Sequence, residues 1–177
     1  MKLQDATGSN AWQGVDCENR AKVYATTESE ISHESETNKR AYSWTTSYNY
    51  DAGDTILLLK NTSSTLNLII DKIMISSDTA TKFIIHFPTG TTLAGTTITG
   101  VNSNRSSNNT PDASCYSDET GNTQGDIFGQ GYVGAGGNAL LPIDGAITLG
   151  VNNEIAIDFV TAGTLGMVTI RGYYHTI

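Results

Sequence analysis

Charged side chains are scarce in this sequence. Lys and Arg number 10 and Asp and Glu 18, so 16% of the 177 residues carry charge and the net charge is −8. Binding a polyanion needs clustered cations, and here they are few and scattered. Nucleic acid and anionic membrane are therefore not expected as partners. The residues that fill helical enzymes are also thin, whereas Thr, Ser, Asn and 18 Gly are plentiful, a balance that favours strands and turns.

Histidine and cysteine are sparse as well. The 3 His (His33, His86 and His175) lie far apart, and no Gly-x-Ser-x-Gly elbow supplies a nucleophile. Two cysteines without a histidine cluster do not make a zinc site. A Cys17–Cys115 bond would close a loop of about 100 residues, worth roughly 4–5 kcal/mol in the chain-entropy model. Met1-Lys-Leu-Gln-Asp-Ala has no secretory apolar core, so a product made soluble in a cytoplasm, or one whose leader has been removed, is the expectation, with two free thiols. No apolar run approaches the length of a membrane span. Gly134-Ala-Gly-Gly137 lacks both the P-loop lysine and a βαβ setting, and reads as loop backbone.

The large apolar residues concentrate between Asp54 and Phe87. Thr55–Leu59, Leu66–Ile75 and Lys82–Phe87 are short, β-branched runs separated by polar turn segments, the pattern of an antiparallel sheet core. In the second run Leu66, Leu68 and Ile70 share one face while Ile73 and Ile75 fall on the other. A β-bulge or a change of sheet is thus expected at Asp71-Lys72. Tyr42–Tyr50, Ile155–Phe159 and Met167–Tyr174 read as further strands, with a first one at Ala21–Thr27 and a weaker one at Thr91–Thr99. Glu28–Arg40 has no apolar stripe and reads as an exposed loop or a short solvated helix. About eight strands at turn-punctuated spacing give the expected class: all-β, an antiparallel two-sheet sandwich of jelly-roll type. Two appendages complete it: an extended arm over residues 1–18, anchored by Trp12, and a Gly/Asn/Ser-rich insertion over about 100–137. Ile127, Phe128 and Tyr132 are too apolar for a free linker. With Trp12 and Val15 they are the candidate interface residues.

Chemistry is thinner. Asp118, Asn122 and Asp126 on a Gly-punctuated loop are the best calcium candidates, although their spacing is not that of an EF-hand. A glycosidase pair drawn from Asp112, Asp118, Glu119 and Asp126 has no supporting pattern. Trp12, Tyr42, Trp44, Tyr48 and Tyr50 would serve as a sugar-stacking platform, or else fill a sheet face or an interface. His86 lies opposite the Phe83 and Phe87 face, where a structural role is expected. No cofactor is implied.

Several short motifs, in order, resemble virion surface proteins of tailed bacteriophages. They are Gly14-Val15 with Asn19-Arg20, Val23–Glu30, Ala41-Tyr-Ser-Trp44, Leu58–Asn61 before an aliphatic strand, Pro88-Thr-Gly-Thr-Thr92, and a Gly-rich stretch before Leu141-Pro142. The resemblance implies a non-enzymatic jelly-roll subunit, commonly trimeric, that decorates and stabilises the outer capsid. Its partners would be the major capsid protein and copies of itself. It would be made in the host cytoplasm and reside on the outer surface of the virion. The rival readings are a receptor- or glycan-binding fibre tip and a carbohydrate-active enzyme.

Overall fold

The strands appear where β-branched and aromatic residues alternate with polar ones. The computed structural model describes residues 29–90 and 94–176, together with the backbone of 14–15 and 21–22. Those two pieces, β1 (Gly14–Val15) and β2 (Ala21–Lys22), pair antiparallel. The body begins with α1 (Glu30–His33), continued by a π turn over Glu34–Asn38. The strands that follow are β3 (Ala41–Tyr50), β4 (Thr55–Asn61), β5 (Leu66–Ser77) and β6 (Thr81–Thr89). Next come β7 (Thr96–Thr97), β8 (Val101–Asn102) and β9 (Ala113–Ser117). The chain then runs through β10 (Thr123–Val133), β11 (Gly137–Leu149), β12 (Glu154–Phe159) and β13 (Gly163–Thr176).

These strands form two antiparallel sheets that make a sandwich, as the alternation implies. One is ordered β10-β6-β12-β4-β9-β7, the other β11-β5-β13-β3-β8. The chain changes sheet at nearly every turn between long strands. The exception is β6 to β10, which are neighbours in one sheet although residues 90–122 intervene. That intervening segment sends β9 to the free side of β4 and β8 to the free side of β3, closing one flank of the sandwich.

The core lies between the sheets. Leu57, Leu59, Phe83, Ile85, Ile155, Ile157 and Phe159 meet Trp44, Leu68, Ile70, Ile73, Ile75, Val168 and Ile170 in one buried cluster. The phase change in β5 is a bulge. Pairing with β13 steps from Lys72 to Ile70, leaving Asp71 without an opposite residue, so Ile73 and Ile75 return to the core face. The strand stays in its sheet.

Three sequence expectations differ from the structure. Residues 100–137 are not one long loop, because they hold β8, β9, β10 and the start of β11. The glycines of β10 hid the strand, yet two of the three, Gly125 and Gly131, are steric requirements of it, while Gly129 stands in open space. A Cβ on Gly131 would lie 2.6 Å from the Phe83 ring, and one on Gly125 would lie 2.1 Å from the Phe87 carbonyl oxygen. Between Thr91 and Thr99 only Thr96–Thr97 pairs as strand among the described residues. The segment before β3 is not wholly solvated either: Glu34 is buried, and its backbone carbonyl accepts from Arg40 N at 2.8 Å. The proposed arm, Trp12 and the side chain of Val15 lie outside the described residues, as does Cys17.

Candidate functional site

Both sheets have a long outermost strand on the same flank: β10, 11 residues, in one and β11, 13 residues, in the other. Such edges offer unpaired N–H and C=O groups, and proteins normally blunt or cover them. β10 is bulged twice, between Thr123 and Asp126 and between Ile127 and Gly129. Bulges twist an edge and limit indiscriminate pairing.

The candidate interface residues of β10 stand on this flank. Ile127 pairs with His86 and Tyr132 with Lys82, on the outer face of the sheet, and they are 49% and 81% exposed. Phe128 is the extra residue of the second bulge. It is 43% exposed, and its ring meets Phe87 edge-on at 6.2 Å. On the other sheet Leu140 pairs with Met74, and Met167 lies on the neighbouring strand, all three well exposed. Large apolar side chains thus stand on the outer faces of both sheets beside one open flank, while the opposite flank is closed by β7, β8 and β9.

Polar groups elsewhere are committed to the fold. Residues 119–125 pass from the side of β4, where Glu119 forms a bridge with Thr55, to β6, and so cross β12. Beneath the crossing, Asn122 Nδ2 donates to Thr55 Oγ1 at 2.7 Å, and Thr55 Oγ1 donates to Asp158 Oδ1 at 2.6 Å. His86 Nε2 lies 2.9 Å from Asp158 Oδ2, close enough for strong electrostatic contact but not aligned as a hydrogen bond. Gly125 N donates to His86 Nδ1 at 3.4 Å. His86 is 0% exposed, so it braces the crossing segment and does not face solvent.

Glu119 is equally structural. Its buried carboxylate accepts from the backbone N–H groups of Ala94 and Gly95. The calcium candidates lie just before the crossing segment, within it and in β10. Asp118 is exposed at a positive φ, Asn122 serves Thr55, and Asp126 pairs with Phe87 in β10. Among the described residues no group of three or more His, Cys, Asp or Glu is placed to hold a metal ion. Of the aromatic-platform candidates, Tyr42, Trp44 and Tyr50 are buried in the core and Tyr48 is half-buried, so no exposed platform forms among the described residues, which do not include Trp12. Cys115 is a free buried thiol whose proton burial holds on firmly.

Sequence reasoning missed a second cluster, at the end where α1 meets β13. Tyr173 OH donates to Glu30 Oε2 at 3.0 Å, and His175 Nδ1 lies 3.3 Å from Glu30 and 3.4 Å from Glu34. The partners are about 140 residues apart in sequence, as the Tyr173–Glu30 bond illustrates with a separation of 143. No local pattern announces them.

Four tyrosines share a consequence. Burial raises the pKa of Tyr42, Tyr48, Tyr173 and Tyr174 above the ordinary value, with nearby carboxylates adding to the effect. Tyr173 is pushed up to about 12, first by burial and then by Glu30. The folded state therefore favours the neutral phenols, and the stability this gives is complete below pH ~10, where an unfolded tyrosine titrates. It is lost as pH rises from there through the raised folded values. Urea melts between pH 8 and 11.5 should show a falling midpoint above pH ~10, with phenolate absorbance from these four rings appearing only as β-structure is lost. A flat midpoint would contradict this account.

None of three comparisons, with protein-family models, with curated proteins and with solved structures, finds a match for this chain.

Proposed function

We propose that this protein is a non-enzymatic virion subunit of the tailed-phage type, which decorates the outer capsid and stabilises it through contacts between subunits. The observation that carries the reading is the asymmetry of the sandwich. One flank is sealed by the chain's own insertion, and the other presents two long edge strands with Ile127, Phe128, Tyr132, Leu140 and Met74 exposed. Apolar side chains gathered at an unsealed edge are the ordinary mark of a protein–protein contact. We read the occupant as a neighbouring copy of this chain, with a homotrimer as the expected assembly and the major capsid protein as the further partner.

Two other features agree. The eight long strands run β3-β13-β5-β11 against β4-β12-β6-β10, an order that supports the finer jelly-roll reading. The net charge of −8 suits a face turned away from packaged nucleic acid.

The test is the assembly state. Light scattering after gel filtration should give an oligomer for the wild type and a monomer for the Tyr132→Asp, Leu140→Asp double variant. Both substitutions are on the surface, so stability should move by no more than ~0.5 kcal/mol each. An interface residue of hot-spot rank is worth about 2 kcal/mol or more, roughly 30-fold in dissociation constant. A wild type that stays monomeric and does not rebind capsids lacking it defeats the proposal.

A further inference from the structure

Remote from the apolar flank, a cavity of about 420 Å³ opens where the π turn, the start of β3 and the 108–112 segment meet the end of β13. Its size falls in the range of small-ligand sites. Tyr42 and Tyr174 form its aromatic side, their rings edge-to-face at 5.8 Å, and Tyr42 OH is tied to the Thr110 carbonyl at 3.2 Å. Tyr174 is 2% exposed, yet its hydroxyl has no hydrogen-bond partner. A buried hydroxyl left unmatched carries a desolvation cost, and native structures rarely leave one so without a reason.

The remaining lining is polar apart from Leu66, and Asn109 is already bonded to the Lys39 carbonyl. Among the described residues, the Arg40 guanidinium, the Asn108 amide, the Thr110 hydroxyl and the Asp112 carboxylate make no hydrogen bond or ion pair with the protein. Arg40 and Asn108 can donate into the cavity, and Asp112 can accept. The Arg40 and Asp112 charges cancel, so the cavity does not select an anion or a cation.

A ligand that matches this must donate and accept, be neutral, and offer C–H surface to the apolar part of the lining, Leu66. A sugar ring meets all three demands, because each hydroxyl both donates and accepts. We infer that this cavity binds a single neutral hexopyranose unit of a glycan, with Asp112 accepting from ring hydroxyls, Arg40 and Asn108 donating to them, and the Tyr174 hydroxyl completed by the ligand. This does not rest on the assembly reading, and either can fail alone.

The full-length protein, labelled with ¹⁵N, is titrated with the methyl glycosides of glucose, galactose, mannose and N-acetylglucosamine to ~50 mM, a range that captures millimolar single-sugar affinity. At least one glycoside should give saturable shifts at the amides of residues 108–112 and of Tyr174. Asp112→Ala, at an exposed position, should weaken that binding about tenfold or more. Tyr174→Phe separates a binding role from a structural one: it should weaken binding while leaving thermal stability equal or higher, since it removes an unmatched hydroxyl. The inference is overturned if none of the four glycosides gives saturable shifts, or if Asp112→Ala leaves the affinity unchanged.

Discussion

Replacing Asn61 with alanine should lower the unfolding free energy by about 3–4 kcal/mol, a large share of the 5–15 kcal/mol that holds a typical domain. Asn61 ends β4 and is 0% exposed. Its Nδ2 donates to the carbonyls of Leu66 and Leu149 at 2.9 Å and of Gly150 at 3.2 Å, while Oδ1 accepts from Ser63 N at 3.0 Å. One amide therefore ties β4 to the strands that open and close the facing sheet. Alanine leaves the Leu149 carbonyl and the Ser63 N–H buried without it, at a cost of about 1–3 kcal/mol each. Asn61→Asp should be at least as damaging, because a carboxylate would face three carbonyl oxygens with nothing to donate. Urea denaturation reads both variants, as a drop in midpoint at unchanged slope. A loss under ~1 kcal/mol for alanine would show that water takes over the amide's role.

Asp158→Ala is the second large effect, expected at about 3 kcal/mol or more, because it strips a partner from buried polar groups. Both carboxylate oxygens are engaged, Oδ1 by Thr55 and Oδ2 by His86. Without them His86 stays buried beneath residues 119–125 with only a long contact from Gly125. Local loosening of the crossing should accompany the global loss. Hydrogen exchange at residues 119–125 should therefore quicken more than exchange in β13. The His86→Leu, Asp158→Leu double variant discriminates the cause. If desolvated polarity is the problem, filling the site with apolar volume should recover part of the loss. Equal exchange throughout the chain in Asp158→Ala would show that the pair does not anchor the crossing.

The strands of the core were legible because their chemistry is local. Leu68 and Ile70, then Ile73 and Ile75, announced both the strand and the slip at Asp71, and Ile155, Ile157 and Phe159 alternate plainly. β10 was not legible, since an edge strand buries little and Gly129 and Gly131 dilute its pattern. Gly125 and Gly131 answer to Phe87 and Phe83, some 40 residues earlier, as the separation of 39 between Gly125 and His86 illustrates. Asp158 carried a faint signal, a carboxylate that shares the outward phase of its strand with Glu154 and Ala156. What it lacked was any sign that residues 119–125 would turn that outward face into an interior. The polar cavity was invisible for the same reason: Arg40, Asp112 and Tyr174 meet only once the sandwich has closed. Ile127, Phe128 and Tyr132 stood out as candidates because large apolar side chains among glycines have no local explanation, and all three are exposed.

The strand order also fixes when this sandwich can form. β12 lies between β6 and β4, and β13 between β5 and β3, so the middle of each sheet comes from the last 24 residues, 154–177. Until they leave the ribosome, β4 and β6 have no partner in common, and neither have β3 and β5. The most apolar strands of the chain must wait with one edge unsatisfied, the one that faces the gap, since β9, β10 and β11 are already made and can pair with the other edges of β4, β6 and β5. Such a chain folds late and at once, with high contact order, and its slow step is the insertion of two strands into gaps already flanked. The growing chain is accordingly most prone to aggregate just before its synthesis reaches β12.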